Sequence, residues 1–306
     1  MTNNLAPIVV FAYNRPDHLQ QTLQALAKND LASESVLYVY CDGAKTDATP
    51  EQIQKVAENR AIAKAAIGFK ELHVIEREKN IGLKDNIIGA VTEIVNQYGR
   101  VITLEDDIVT SKGFLRYMND ALEVYKDDEK VMHISGFTWP HKWHLPETFF
   151  YTVPYPGGGW ATWQRAWKYY NDNTEELYNY WKTRWDEFNR YGGTFLQAQL
   201  EKNMLGQMRT WFVKWYAVMA KMGGLALYPT KSMTNNIGWD DSGTNCQTCN
   251  KYFIAHPLES VKVIHKPIKE SRLAANEVYA FFQGRWYNKR RRQALLNNIL
   301  HFLRLR

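Results

Sequence analysis

Three acids in a row, Glu105, Asp106 and Asp107, follow the apolar stretch Val101-Ile102-Thr103-Leu104. Adjacent carboxylates repel one another, so such a cluster costs stability unless a cation binds it. A hard divalent cation is the natural partner. Mg2+ or Mn2+ takes oxygen ligands and commonly combines one or two carboxylates with substrate phosphates. An ion held there would neutralise a diphosphate and steady the charge on a leaving group. The plain alternative is a solvated acidic turn at a strand end. Other polar residues carry weaker signals. Cys246-Gln-Thr-Cys249 has zinc-like spacing but no second pair and no nearby His pair, so two free thiols are the reading. His133 follows an apolar run and reads as packed, and Lys84 as part of a solvated helix face.

The elements that must position the acids are legible in the first 110 residues. An apolar run at 7–13 reads as a buried parallel strand, and 36–40, 71–75 and 100–104 read as further strands. Between them, helices are expected at 18–28, about 50–66 and about 83–97. Regular strand–helix alternation means a mostly parallel sheet with right-handed crossovers, an α/β fold of Rossmann-like form. Ligands of such sheets lie beyond the carboxyl ends of the strands. Asn14-Arg15, Asp42-Gly43, Asn80 and Glu105-Asp106-Asp107 all fall at those ends. The second half is less regular. A Pro/Gly-rich loop at 154–159 should precede a Trp-rich helix, with helices at 175–190 and 195–208 and a strand at 225–228.

Apolar residues make up 45% of the 306-residue chain, enough for a sizeable core in one large α/β unit. The 11 Trp and 18 Tyr could stack on sugar rings, but their number alone favours core packing. The first residues lack a leader pattern, no run suits a membrane span, and three cysteines fit a reducing compartment. A cytoplasmic protein is expected. Net charge is +6, yet residues 285–306 hold seven basic and no acidic residues, so the body is close to neutral. That stretch also spaces Leu295, Leu296, Ile299, Phe302 and Leu303 as one helix face. A basic amphipathic helix suits an anionic membrane surface, which would make the protein peripheral on the inner face of the cell membrane. Packing on the body is the alternative, and nucleic acid is the reading set aside.

Phe11-Ala12-Tyr13-Asn14-Arg15-Pro16, Asn80-Ile81-Gly82-Leu83 and Leu104-Glu105-Asp106-Asp107 together resemble GT-A glycosyltransferases. The likeness is to bacterial sugar transferases related to N-acetylglucosaminyltransferase I. It extends to Gly157-Gly158-Gly159-Trp160-Ala161-Thr162-Trp163 and to Asn236–Thr244, so it spans roughly residues 7–245. The resemblance implies a metal-dependent transferase with a sugar-nucleotide donor. Asp107 would bind Mn2+ or Mg2+, Asp106 would contact ribose or sugar with Glu105 assisting, and Arg15 and Asp42 would hold base and phosphates. A carboxylate at Asp42 can accept from a uracil N–H, which suits a UDP donor. Gly159 and Trp160 would border the sugar, and His265 would be a late metal ligand.

The resemblance also implies an Asp near a Trp-rich helix as general base, and Trp211-Phe212-Val213-Lys214-Trp215 has no carboxylate. An inverting transferase needs a base for the acceptor hydroxyl. Asp240 and Asp241 are the candidates by motif, against an Asx-turn reading. The expected organisation is a GT-A domain over 1–270, with a nucleotide-sugar half at 1–110 and an acceptor half at 111–270, and a basic tail over 271–306. The expected function is transfer of a hexosyl or N-acetylhexosaminyl group to a glycan or lipid-linked acceptor in surface polysaccharide (lipopolysaccharide) synthesis, with inversion. Its rivals are a catalytically inactive nucleotide- or carbohydrate-binding protein and a metal-dependent nucleotidyltransferase.

Overall fold

The computed structural model describes residues 5–139, 147–240 and 257–282. β1 (Ile8–Ala12), β2 (Val36–Cys41), β3 (Glu71–Glu76) and β4 (Arg100–Glu105) alternate with α1 (Pro16–Ala27), α2 (Pro50–Lys64) and α3 (Leu83–Tyr98). β5 (Ile108–Thr110), α4 (Phe114–Val124), β6 (Val131–Ser135), β7 (Thr148–Tyr151), β8 (Trp160–Trp163) and the single-turn α5 (Gln164–Trp167) follow. Then come α6 (Thr174–Trp181), α7 (Trp185–Met204), α8 (Phe212–Met222), β9 (Leu225–Pro229), β10 (Thr234–Asn236) and α9 (Arg272–Phe282).

Eight strands form one sheet in the order β3-β2-β1-β4-β8-β6-β9-β7. β3, β2, β1 and β4 run parallel, as do β6 and β9, while β8 and β7 run against their neighbours. The sheet is therefore mixed but mostly parallel, the α/β architecture of a GT-A fold. Successive residues of β1 serve opposite faces. Ile8, Val10 and Ala12 pack with Leu19, Leu23 and Leu26 of α1, whereas Val9 and Phe11 pack with Ile87, Val91 and Ile94 of α3. Every residue of β1 is buried, which is why its sequence is a continuous apolar run rather than an alternation. At α2, Thr49 and Gln52 form a reciprocal capping box and Pro50 takes the first helical position.

Three expectations change in the second half. Trp160–Trp163 is a strand, not part of a helix. Its tryptophans continue to Trp167 at helical spacing, but the run is inserted antiparallel between β4 and β6, with Thr103 opposite Trp160 and Arg100 opposite Trp163. Aromatic and β-branched residues suit such a buried, pleated position. The helix expected over 175–190 is two, α6 and α7, separated after Trp181. Within the segment assigned to a tail, α9 docks on the body: Ala274, Ala275 and Val278 are buried and Ser271 N–H donates to the Phe150 carbonyl at 2.9 Å. The basic stretch 285–306, Asp241, Cys246 and Cys249 lie outside the described residues.

Candidate active site

The carboxyl ends of β1, β2 and β4 bring the acids, Arg15 and Asp42 to one edge of the sheet. Pro16 starts α1 directly after β1, which leaves Arg15 at the turn between strand and helix. Its guanidinium reaches across to β4: Nη2 donates to Asp106 Oδ1, and Nη1 lies 3.0 Å from Asp107 Oδ2. Both aspartates are nearly covered, at 3% and 7% exposure. Burial works against the charged forms of Glu105 and Asp106 and pushes both carboxyls up. Asp107 adds to the rise in each, and Arg15 opposes it. The guanidinium itself is held above its ordinary range, because Asp106, Asp107 and Glu105 outweigh its own burial.

The backbone of the triplet is pinned from two sides. Thr22 Oγ1 of α1 donates to the Asp106 carbonyl at 2.8 Å, and Ile237 N–H donates to the Asp107 carbonyl at 2.9 Å. The second bond belongs to the loop after β10, which lies directly over the acids. A side chain at Gly238 would run into Asp107 Oδ2 and Arg15 Nη1 and would have to displace them from their ion pair. The same loop carries Asp240, whose Oδ2 sits 3.2 Å from His18 Nε2 on α1. His18 Nε2 is also 3.3 Å from the Ile237 carbonyl.

Asp42 does a job that its sequence position did not disclose. Its Oδ1 accepts from Gly43 N–H at 2.9 Å and Ile81 N–H at 3.0 Å, and its Oδ2 from Gly82 N–H at 2.9 Å. Asn80 Nδ2 closes the arrangement on the Gly43 carbonyl at 2.9 Å. The buried carboxylate thus fixes the 80–82 turn and the start of α3.

Gly159 has φ of +70° and its Cα faces Phe114. Trp160 is only 3% exposed; its ring stacks between His133 and Trp211, with centroids 5.2 and 5.1 Å away. That ring is placed in the core between sheet and α8, where it supports the edge of the site from behind.

His265 is not brought to the triplet. Its Nε2 is 3.0 Å from Asp128 Oδ2 and its ring lies against Tyr125. The reason is the path of residues 258–265. Glu259 abuts Gly113 at the start of α4, and Tyr125 Oη at the other end donates to the Ile264 carbonyl at 3.0 Å. The chain has by then travelled along an 11-residue helix, about 16 Å, away from the strand ends. In place of the expected metal role, His265 therefore contacts Asp128 at the far end of the sheet.

A further charged group was missed as a group. Asp172, between α5 and α6, accepts from Lys214 Nζ at 2.7 Å and from Lys84 Nζ at 2.6 Å. No local pattern ties residues 84, 172 and 214 together, and the only hint was a lysine, Lys214, on the inner face of an apolar helix.

A family model matches residues 8–233, most of the chain, and its description is glycosyl transferase family 2. The chain belongs to glycosyltransferase family 2. It is a glycosyltransferase with a GT-A fold, and its family takes a nucleotide sugar as donor and a glycan as acceptor. The match does not extend to the expected kinship with N-acetylglucosaminyltransferase I. Among solved structures, S. aureus TarS is 20% identical over 47% of this chain and 23% of that one, with a TM-score of 0.31. Mouse xyloside xylosyltransferase 1 in its apo form is 10% identical over 71% of this chain and 81% of that one, with a TM-score of 0.35.

Family 2 enzymes are commonly metal-dependent. Among the described residues, no three His, Cys, Asp or Glu side chains converge as a complete metal shell. The site nonetheless fits an ion that shares its ligands with substrate. Asp107 Oδ1 is buried and has no hydrogen-bond partner, while Oδ2 of the same carboxylate is held by Arg15. One or two carboxylates completed by phosphate oxygens is the usual surround for Mg2+ in such sites.

Proposed function

We propose that this transferase uses a UDP-linked sugar with Mn2+ or Mg2+ held at Asp107, and inverts the anomeric centre as it passes a hexosyl or N-acetylhexosaminyl group to a glycan or lipid-linked acceptor in surface polysaccharide synthesis. The observation that carries the reading is the unpartnered, buried Asp107 Oδ1 beside an Arg15-clamped pair of carboxylates. An anionic cluster with an open oxygen at a strand end suits a cation bridging to a diphosphate. When bound, that cation would neutralise the departing nucleoside diphosphate.

The chain's own residues do the rest. Arg15 clamps and aligns Asp106 and Asp107, and Asp106 faces the donor's ribose or sugar. Asp42 shapes the 80–82 turn against which the base would lie. Asp240, with 47% of its side chain exposed and His18 at its back, takes the proton from the acceptor hydroxyl. The hydroxyl oxygen then forms the new bond to the anomeric carbon as the bond to the nucleoside diphosphate breaks on the opposite face. Work on surface glycans would place the protein on the cytoplasmic side, with residues 285–306 against an anionic membrane.

A thermal-shift screen of sugar nucleotides, with and without Mn2+, on wild type and Asp107→Asn tests this. A ligand that binds only the folded state raises the melting temperature. Mn2+-dependent stabilisation by a UDP-sugar, lost in the variant, is expected. An equal response in both proteins would remove Asp107 from the donor site, and no response to any sugar nucleotide would end the donor reading.

A further inference from the structure

We infer that the same edge of the sheet carries a second anion seat, between the N-terminus of α3 and α8, and that it receives a phosphate or carboxylate carried by the acceptor. The inference deepens the reading above and rests on it for the distinction between donor and acceptor.

The seat is built from both halves of the chain. Lys84 lies in the first turn of α3, and Lys214 and Arg209 lie in and just before α8. Lys214 is 4% exposed, and its Nζ is bonded to the side chain and the carbonyl of Asp172 at 2.7 and 2.8 Å. Lys84 Nζ takes the other oxygen of the same carboxylate at 2.6 Å and lies 3.5 Å from Asp85. Arg209 Nη2 is 3.0 Å from Asp85 Oδ2. Three cations therefore share two carboxylates. The cluster thus carries a net positive charge, with Lys84 and Lys214 largely covered and Arg209 exposed at its rim, where an arriving anion is attracted. Burial already pulls the Lys214 ammonium below its usual range, against the pull of Asp172.

Two further features point the same way. The N-cap of α3 is Gly82, which has no side chain to satisfy the first free N–H groups, so the positive end of a 16-residue helix opens at Lys84. The cluster is also at the correct end of the sheet. Gly82 is tied to Asp42 at the end of β2. Trp211, one turn before Lys214, stacks on Trp160, which pairs with Thr103 two residues before Glu105. Tyr170 Oη, 3.4 Å from the Trp211 carbonyl, helps to wall the cluster on the aromatic side. Donor phosphates are already provided for at Arg15 and Asp107, so the surplus charge here is assigned to the acceptor.

The test uses three small probes on the full chain with UDP and Mn2+ present to fill the donor site. They are glucose 1-phosphate, methyl glucuronide and methyl glucoside, which carry a phosphate, a carboxylate and no charge. Affinities are read by ligand-observed NMR. At least one charged probe should bind about tenfold more tightly than the neutral one, weaken with salt, and lose its advantage in Lys84→Met but keep most of it in Lys84→Arg. Which charged probe wins tells phosphate from carboxylate. Lys214→Met should act like Lys84→Met, and the less deeply covered Lys84 site keeps the test open where the buried change impairs folding. Equal binding of all three probes, a preference that survives Lys84→Met, or a lower melting temperature with unchanged preference would overturn the seat. A fall in UDP affinity in Lys84→Met matching the loss of probe affinity would reassign the cations to the donor. The probes are also compared without UDP. A charged preference there in a protein that ignores UDP would uphold the seat while ending the donor reading.

Discussion

Arg15 and the acids beside it can be dissected one side chain at a time. Arg15→Met would leave Asp106 and Asp107 buried without their counter-ion, a change that costs about 3–5 kcal/mol where the pair is well covered. A lower melting temperature is expected, and Mn2+ should recover more of it in the variant than it adds to wild type. The same Mn2+ increment in both proteins would mean the cation does not sit among these carboxylates. Asp240 is tested by kinetics. Asp240→Asn keeps the shape of the loop over Gly238 but cannot accept a proton, so kcat should fall by about 10²–10⁴ with UDP-sugar affinity intact. Removing His18 should have a smaller effect, because its contacts are with Asp240 and the Ile237 carbonyl, and the proposed base itself would remain. If kcat in Asp240→Asn stays within about threefold of wild type, the base is another carboxylate.

The four strands and three helices of the first half were legible because β1, β2 and β4 carry apolar cores closed by polar turns, β3 alternates as an edge strand, and each crossover returns the chain to the same edge. Strand order alone therefore places Arg15, Asp42 and the acidic triplet together at one edge. What escaped notice depends on pairings between distant segments. β8 enters the sheet antiparallel, which no local period encodes, and Trp160 thereby becomes a core residue stacked on His133 and Trp211. His265 was assigned by analogy, and only the path along α4 shows where it goes. The meeting of Lys84 with Asp172 is equally non-local. His133, read from its apolar context as packed, is indeed fully buried on β6. Its Nδ1 faces Trp215 Nε1 at 3.4 Å, and burial pulls its pKa down to about 3. The folded protein therefore keeps this imidazole neutral, while the unfolded chain protonates it below about 6.5. Stability should fall by about 1.4 kcal/mol per pH unit from this group as pH drops from 6.5 towards 3. Urea midpoints at pH 7 and pH 5 measure it. His133→Phe should lose less stability over that interval than wild type, and an unchanged difference would show that the ring is hydrated.

Over the whole chain, charge is distributed by function rather than evenly. The body is close to neutral and its positive groups are largely committed: Arg15 to the acids, Lys84 and Lys214 to Asp172, Arg165 to the carbonyls of Tyr125, Lys126 and Val131. The seven basic residues of 285–306 have no such acidic company in sequence. No helix among the described residues is long and apolar enough to cross a membrane. The proposed attachment to an anionic membrane surface rests on the basic composition of residues 285–306. Each well-placed basic residue contributes about 1 kcal/mol of attraction to an anionic leaflet, and the attraction is screened within about 10 Å at 0.1 M salt. Ending the chain after Phe282 should therefore abolish sedimentation with phosphatidylglycerol vesicles. UDP-sugar stabilisation and the melting temperature should be left nearly as they were. Binding of the full chain should weaken steeply between about 0.1 and 0.5 M salt and be negligible on phosphatidylcholine alone. A truncated protein that still sediments would move the membrane contact to the body. One that loses several degrees of melting temperature would mean that the stretch packs on the fold instead of on lipid.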